Sequence, residues 1–104
     1  MMGNPQQLMR QMQQMQERLA KIQEDLANET VEGSAGGGAV KVTMTGQQKV
    51  QAVKIDPAVL DPDDVEMLQD SMVAAFGEAQ ANAQRLTESR LGPLTGGLKL
   101  PGLG

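Results

Sequence analysis

The chain has 104 residues, a one-domain length, of which 39% are hydrophobic and only Phe76 is aromatic. A core limited to Leu, Ile, Val, Met and Ala buries little area per side chain, so completion by a second copy of the chain is expected. Without cysteine or histidine there is no disulfide, no thiolate metal site, and neither the commonest general base nor the commonest metal ligand. No apolar run approaches the roughly 20 residues of a membrane span, and Met1–Pro5 lacks the basic flank and hydrophobic block of a signal peptide, so a cytoplasmic protein is expected.

Asn4-Pro5 reads as an N-cap followed by proline at the first helical position. Leu8, Met12, Met15, Leu19, Ile22 and Leu26 then recur at alternating spacings of four and three, a heptad seam that predicts an amphipathic helix to about residue 27. At 1.5 Å per residue this helix is about 35 Å long, too long for a small domain to cover, so part of it should project or pair. The segment NETVEGSAGGG (28–38) breaks the period: Thr30-Val31-Glu32 suits a short strand and the glycines a flexible turn. Val40, Val42 and Met44 alternate with Lys41, Thr43 and Thr45 in a half-buried strand pattern. Gly46-Gln47-Gln48 is a turn, and Lys49–Ile55 a third strand with a bulge expected at Ala52-Val53.

Residues 57–60 suit one helical turn. Asp61-Pro62 repeats the cap-plus-proline signal, with Asp63, Asp64 and Glu66 at the favourable end of a helix dipole. Val65, Leu68, Met72, Ala75, Phe76, Ala79, Ala83 and Leu86 share one face of a second long helix that should reach about residue 90 and stop at Gly92-Pro93. These elements give an α+β fold: a long helix, a three-stranded antiparallel sheet, a short helical turn and a long helix. The expected division is one domain over residues 1–92 and a Gly/Pro-rich tail over 93–104.

The formal charge of −4 argues against a nucleic-acid partner, but its distribution is uneven. Residues 1–23 and 82–104 each sum to +2, whereas 24–81 sums to −8. The positive segments are the free ends of the two helices, which should share one pole. Arg10 and Arg18 stand in the N-terminal half of the first helix, with Glu24, Asp25 and Glu29 at its C-terminal end, the reverse of what the dipole prefers. Neither arginine has an acid three or four positions away, while Lys21 has Glu17. This placement fits an external anion; a plain solvated face is the alternative. In the second helix Arg85 and Arg90 also complement the dipole, with Glu88 available to Arg85.

Other features carry less. The glutamines of the first helix are good helix formers whose amides can also bond phosphates or base edges. Met9, Met12, Met15, Met67 and Met72 lie mostly on apolar stripes and suit packing. Gly36-Gly37-Gly38 leads into a strand without the Lys-Ser/Thr of a phosphate loop. Asp61, Asp63 and Asp64 lack calcium-loop spacing. A single aromatic gives no stacking platform for single strands, so duplex backbone contact is the nucleic-acid mode left open. No carboxylate, Lys or Ser pair has catalytic context; no catalytic residue, metal ligand, cofactor or small-molecule substrate is assigned.

Taken together, LMRQMQQMQERLAKIQEDLA, VEGSAGGGAVKVTMTG, VKIDPAVL, MLQDSMVAAFGEAQANAQ and GPLTGGLKLPGLG resemble the YbaB/EbfC family of nucleoid-associated proteins over nearly the whole chain. The resemblance implies an intertwined, tweezer-like homodimer that binds double-stranded DNA and alters its conformation, with roles in nucleoid organisation, gene regulation and DNA protection. It places DNA contacts on the two long helices, here residues 5–27 and 63–90, and so on Arg10, Arg18, Lys21, Arg85 and Arg90. Core and dimer packing is expected from Met12, Met15, Leu19, Ile22, Leu26, Val40, Val42, Leu68, Met72 and Phe76. The competing expectation is a protein-interaction adaptor that engages a partner helix through the heptad seam without touching DNA.

Overall fold

The structure, a computed structural model, describes residues 4–95. Helix α1 (Pro5–Asn28) begins where the Asn4 side chain accepts a hydrogen bond from the Gln6 N–H at 3.0 Å and Pro5 occupies the first turn. It ends at Glu29, whose N–H donates to the Asp25 carbonyl at 2.8 Å. Three strands follow as an antiparallel meander, β1 (Thr30–Ala35), β2 (Val40–Thr45) and β3 (Val50–Ile55), in the order β1-β2-β3. A 3-10 turn, η1 (Pro57–Val59), leads to helix α2 (Val65–Thr95).

Strand β1 is twice the length expected. Gly33, Ser34 and Ala35 have low strand propensity, but they pair with Val42, Lys41 and Val40, and pairing overrides propensity here. The turn after β1 keeps Gly36, Gly37 and Gly38 at φ of 64°, 70° and 93°, a left-handed run that side chains would strain. The bulge of β3 falls at Gln51 rather than at Ala52-Val53: Thr43 faces Ala52 and Met44 faces Val50, so Gln51 has no direct partner.

Two helix boundaries also differ from expectation. Asp61 does not cap α2; its carboxylate accepts from the Asp63 N–H in a preceding turn, and Asp64 is the cap, accepting from the Met67 N–H at 3.2 Å. At the other end α2 continues past Gly92-Pro93 to Thr95. A proline this near a helix end removes one backbone hydrogen bond, and half-buried Leu94 lines a cleft against α1, which favours one more turn. The expected tail is therefore helical through Thr95, and residues 96–104 lie outside the described residues.

The core lies between the sheet and α2. Val40, Val42 and Met44 on one face of β2 meet Ala75, Ala79 and Ala83 of α2, all 0–1% exposed, with Val31, Ala35, Leu68, Met72 and Phe76 packed around them. A Cβ on Gly33 would fall inside van der Waals contact with the Ala75 carbonyl oxygen and the Ala79 amide nitrogen, so the glycine lets α2 rest on the β1 backbone. Val65, assigned to the same face, is exposed because α2 has not yet reached the sheet there. Leu26 packs apart from this core, against Gly46 in the β2–β3 turn. The rest of the heptad seam is not covered within the chain: Met15 and Ile22 are half-buried, and Met12 and Leu19 are exposed.

Gly33→Ala should therefore destabilise the fold by about 1–3 kcal/mol or more, because backbone, not a pliable side chain, must yield. A denaturant midpoint equal to wild type would contradict this packing.

Candidate functional site

The track of α2 over the sheet decides where the helix ends lie. Ser71 lies beside Gly36, Ala75 and Ala79 against Gly33, and the Asn82 amide donates to the Glu32 carbonyl at 2.8 Å. Farther along, the Thr87 hydroxyl donates to the Gly46 carbonyl at 3.3 Å, and Arg90 reaches Glu29. Helix α2 thus runs antiparallel to β1, from the Gly36–Ala39 turn towards the base of α1. Its last turns lie along α1, where Glu17, Arg18, Lys21, Ile22, Arg90, Pro93 and Leu94 line a cleft of about 360 Å³. The free end of α1 and the closing turns of α2 share a pole, as charge patterning suggested. The start of α2, with Asp61, Asp63, Asp64 and Glu66, lies at the other end of a body 73 Å long and 28 by 15 Å across.

The N-terminal half of α1 projects. Residues 5–14 are all exposed, and the shallow groove over Leu8, Gln11, Met12, Met15 and Gln16 is lined by α1 alone. Residues 5–16 contain Arg10 and no acid, so the field at this end is positive, in solvent, and unopposed along the helix.

The five candidate cations differ in their partners. Arg10 and Arg18 are exposed and form no ion pair among the described residues. Lys21 pairs with Asp25 at 3.3 Å, not with Glu17, one turn in the other direction. The Arg85 guanidinium donates to the Asn82 side-chain carbonyl at 3.1 Å, so its partner is Asn82 and not Glu88. Arg90 forms an ion pair with Glu29, with the two side chains 41% and 36% exposed. It has no acid three or four positions away in sequence, but it has one across the fold.

That pair accounts for one of the acids at the wrong end of α1, Glu29. Glu29 stands at the negative pole of the α1 dipole, where a carboxylate is disfavoured, and the Arg90 guanidinium offsets it from α2. The other carboxylate oxygen of Glu29 is buried without a hydrogen bond among the described residues, so the contact with Arg90 is the one that its carboxylate makes. Sequence reasoning missed this contact because the residues are 61 positions apart; the unfavourable dipole placement of Glu29 was its one signal. Gln47 also ties the sheet to α1, its amide donating to the Gln23 carbonyl at 3.1 Å and to the Gln23 side chain at 3.3 Å. Among the described residues no acidic group is placed to hold a metal ion, and no helix is long and apolar enough to cross a membrane.

Comparison with known proteins gives this geometry a context. The model of the YbaB/EbfC DNA-binding family matches residues 2–98. A nucleoid-associated protein of Roseiflexus sp. (strain RS-1) is 56% identical over 99 residues, which span 95% of this chain and 98% of that protein. A nucleoid-associated protein of Pelotomaculum thermopropionicum is 50% identical over 101 residues, spanning 97% and 96%. The crystal structure of an uncharacterized protein from Helicobacter pylori superposes with a TM-score of 0.78, covering 89% of this chain and 98% of that one, at 18% identity, a likeness of fold.

If the Glu29–Arg90 pair braces α2 against α1, a double-mutant cycle with Glu29→Gln and Arg90→Gln should give a coupling of up to about 1 kcal/mol, the scale of a partly exposed pair. Additive effects on the unfolding midpoint would show that no brace exists.

Proposed function

The chain belongs to the YbaB/EbfC DNA-binding family, a family of DNA-binding proteins and not of enzymes, and from that premise we propose that it binds duplex DNA as a homodimer through the projecting ends of its long helices. The observation that carries this reading is that Arg10 and Arg18 are exposed and without an ion pair among the described residues, on a stretch of α1 with almost no opposing charge. Guanidinium groups held out on a rigid helix suit phosphate oxygens, and the gain in binding comes chiefly from counterions released by the duplex. Lys21 and Arg85 add to the same surface from the base of the prong. Arg90 serves first as the partner of Glu29, with a secondary share in the cationic rim.

The second copy is argued from what one chain leaves uncovered. Leu8, Met12 and Leu19 are 58%, 56% and 38% exposed along the seam. On the sheet face that carries α2, Val50 and Val53 of β3 lie beyond its cover, 49% and 38% exposed. A dimer that buries these surfaces holds out two prongs and turns the acid-rich start of α2 away from the duplex. Such a grip bears on backbone at a few points, alters the path of the DNA between them, and gains occupancy from many copies along the nucleoid. The heptad seam is then taken up by a second copy of the chain and not by a foreign helix.

In a mobility-shift or anisotropy titration, the protein should bind random duplex with an affinity that falls linearly in log–log form with salt. Arg10→Ala/Arg18→Ala should lower the slope by about 0.9 for each phosphate contact removed, while the dimer persists. Binding with an unchanged slope would remove these arginines from the interface. Met12→Asp/Leu19→Asp should shift the chain towards monomer in sedimentation velocity at micromolar concentration; an unaltered dimer would place the interface elsewhere.

A further inference from the structure

The charge of −8 over residues 24–81 conceals a local reversal. All three lysines of that stretch, Lys41, Lys49 and Lys54, lie on the β2–β3 hairpin between Val40 and Ile55, which contains no acid. Val40, Val42 and Met44 point into the core, so alternation sends Lys41 and Thr43 to the opposite, open face of the sheet. In register, Lys41 stands directly opposite Lys54, and Thr43 opposite Ala52. On the other side of β2, Ser34 faces Lys41 and Glu32 faces Thr43.

Two ammonium groups on facing positions, with Cβ atoms about 4.5–5.5 Å apart, repel and cost stability. Both side chains are exposed, and neither forms an ion pair among the described residues. The acids closest to them along the sheet are Glu32, diagonal to Lys41, and Asp56, which follows β3, and neither pairs with a lysine. An anion shared between Lys41 and Lys54 would turn the repulsion into binding. The hydroxyls of Ser34 and Thr43 flank that position and can donate to an anionic oxygen, and Ala52 leaves the surface low.

We propose that the open face of the β2–β3 hairpin is a second phosphate-contacting surface for duplex DNA, centred on Lys41 and Lys54 and extended by Lys49 at the β2–β3 turn. The assignment rests on the DNA-binding reading above and adds to it a contact away from the prongs. Charge complementarity and the family's DNA partner favour nucleic-acid backbone over an acidic protein surface. The Gln47–Gln23 bond links the β2–β3 turn to the base of α1, so the turn that carries Lys49 adjoins the base of the prong. A duplex held by the prongs and by this face is touched at two separated places, which fixes its direction across the protein.

The test is a salt titration of the full chain on random-sequence duplex, comparing wild type, Lys41→Gln/Lys54→Gln and Lys41→Arg/Lys54→Arg. The glutamine pair should lower the slope of log affinity against log salt by about 0.9 per lysine in contact, about 1.8 per chain, and the arginine pair should keep the wild-type slope. Should the glutamine pair lose its thermal melt, Lys54→Gln alone, on the exposed edge strand, carries the test with half the change. A wild-type slope in the glutamine variants overturns the sheet-face contact. So does an unchanged slope with altered sedimentation, which would assign the lysines to acids of a second copy. If Arg10→Ala/Arg18→Ala weakens binding and Lys41→Gln/Lys54→Gln does not, the prongs stand and this surface falls. No duplex binding by wild type at low salt would overturn both.

Discussion

Helix α2 lies on strand β1 with almost no side chain between them, and most of the architecture descends from that close approach. It requires a glycine on the strand and small residues at spacings of four on the helix, supplied by Gly33 and by Ala75, Ala79 and Ala83. With no bulky group to roll over, the helix takes a line antiparallel to β1. That line carries Thr87 to the Gly46 carbonyl and Arg90 to Glu29. The last turns of α2 are thereby fixed against the base of α1, so a packing constraint deep in the sheet sets the stance of the prong more than 20 residues away in sequence.

Charge is then distributed along an axis. One end is a helix with arginines and amides and few acids; the other is the start of α2, rich in aspartate. The net charge of −4 describes neither end. On the proposed reading, a cationic end meets phosphates with modest total charge, while the acid-rich start of α2 discourages indiscriminate adhesion to nucleic acid. Local acids are spent structurally near the junction: Asp25 on Lys21 and Glu29 on Arg90. On the prong, these pairs leave Arg10 and Arg18 without an ion pair among the described residues.

The single chain covers one side of its sheet only in part. Helix α2 spans β1 and β2 and leaves β3 open, and the heptad seam of α1 is buried only at Leu26. A core of valine, methionine and alanine without large aromatics has little surplus area to close these flanks. The apolar surface left exposed on the seam of α1 and on β3 is the surface on which the proposed dimer rests.

The sequence by itself determined the elements and their order. The heptad seam, the alternation of Val40, Val42 and Met44, the glycine turn and the apolar face of α2 are local periodicities, and local geometry alone enforces them. The polarity of charge was legible for the same reason, since helix ends are defined by the chain. Only the tertiary structure decided that Gly33–Ala35 is strand and not loop, that α2 passes Pro93, that Arg90 is committed to Glu29, and that Lys41 faces Lys54. Each of these depends on partners distant along the chain, or on register between strands, and no periodicity within one element encodes a partner in another.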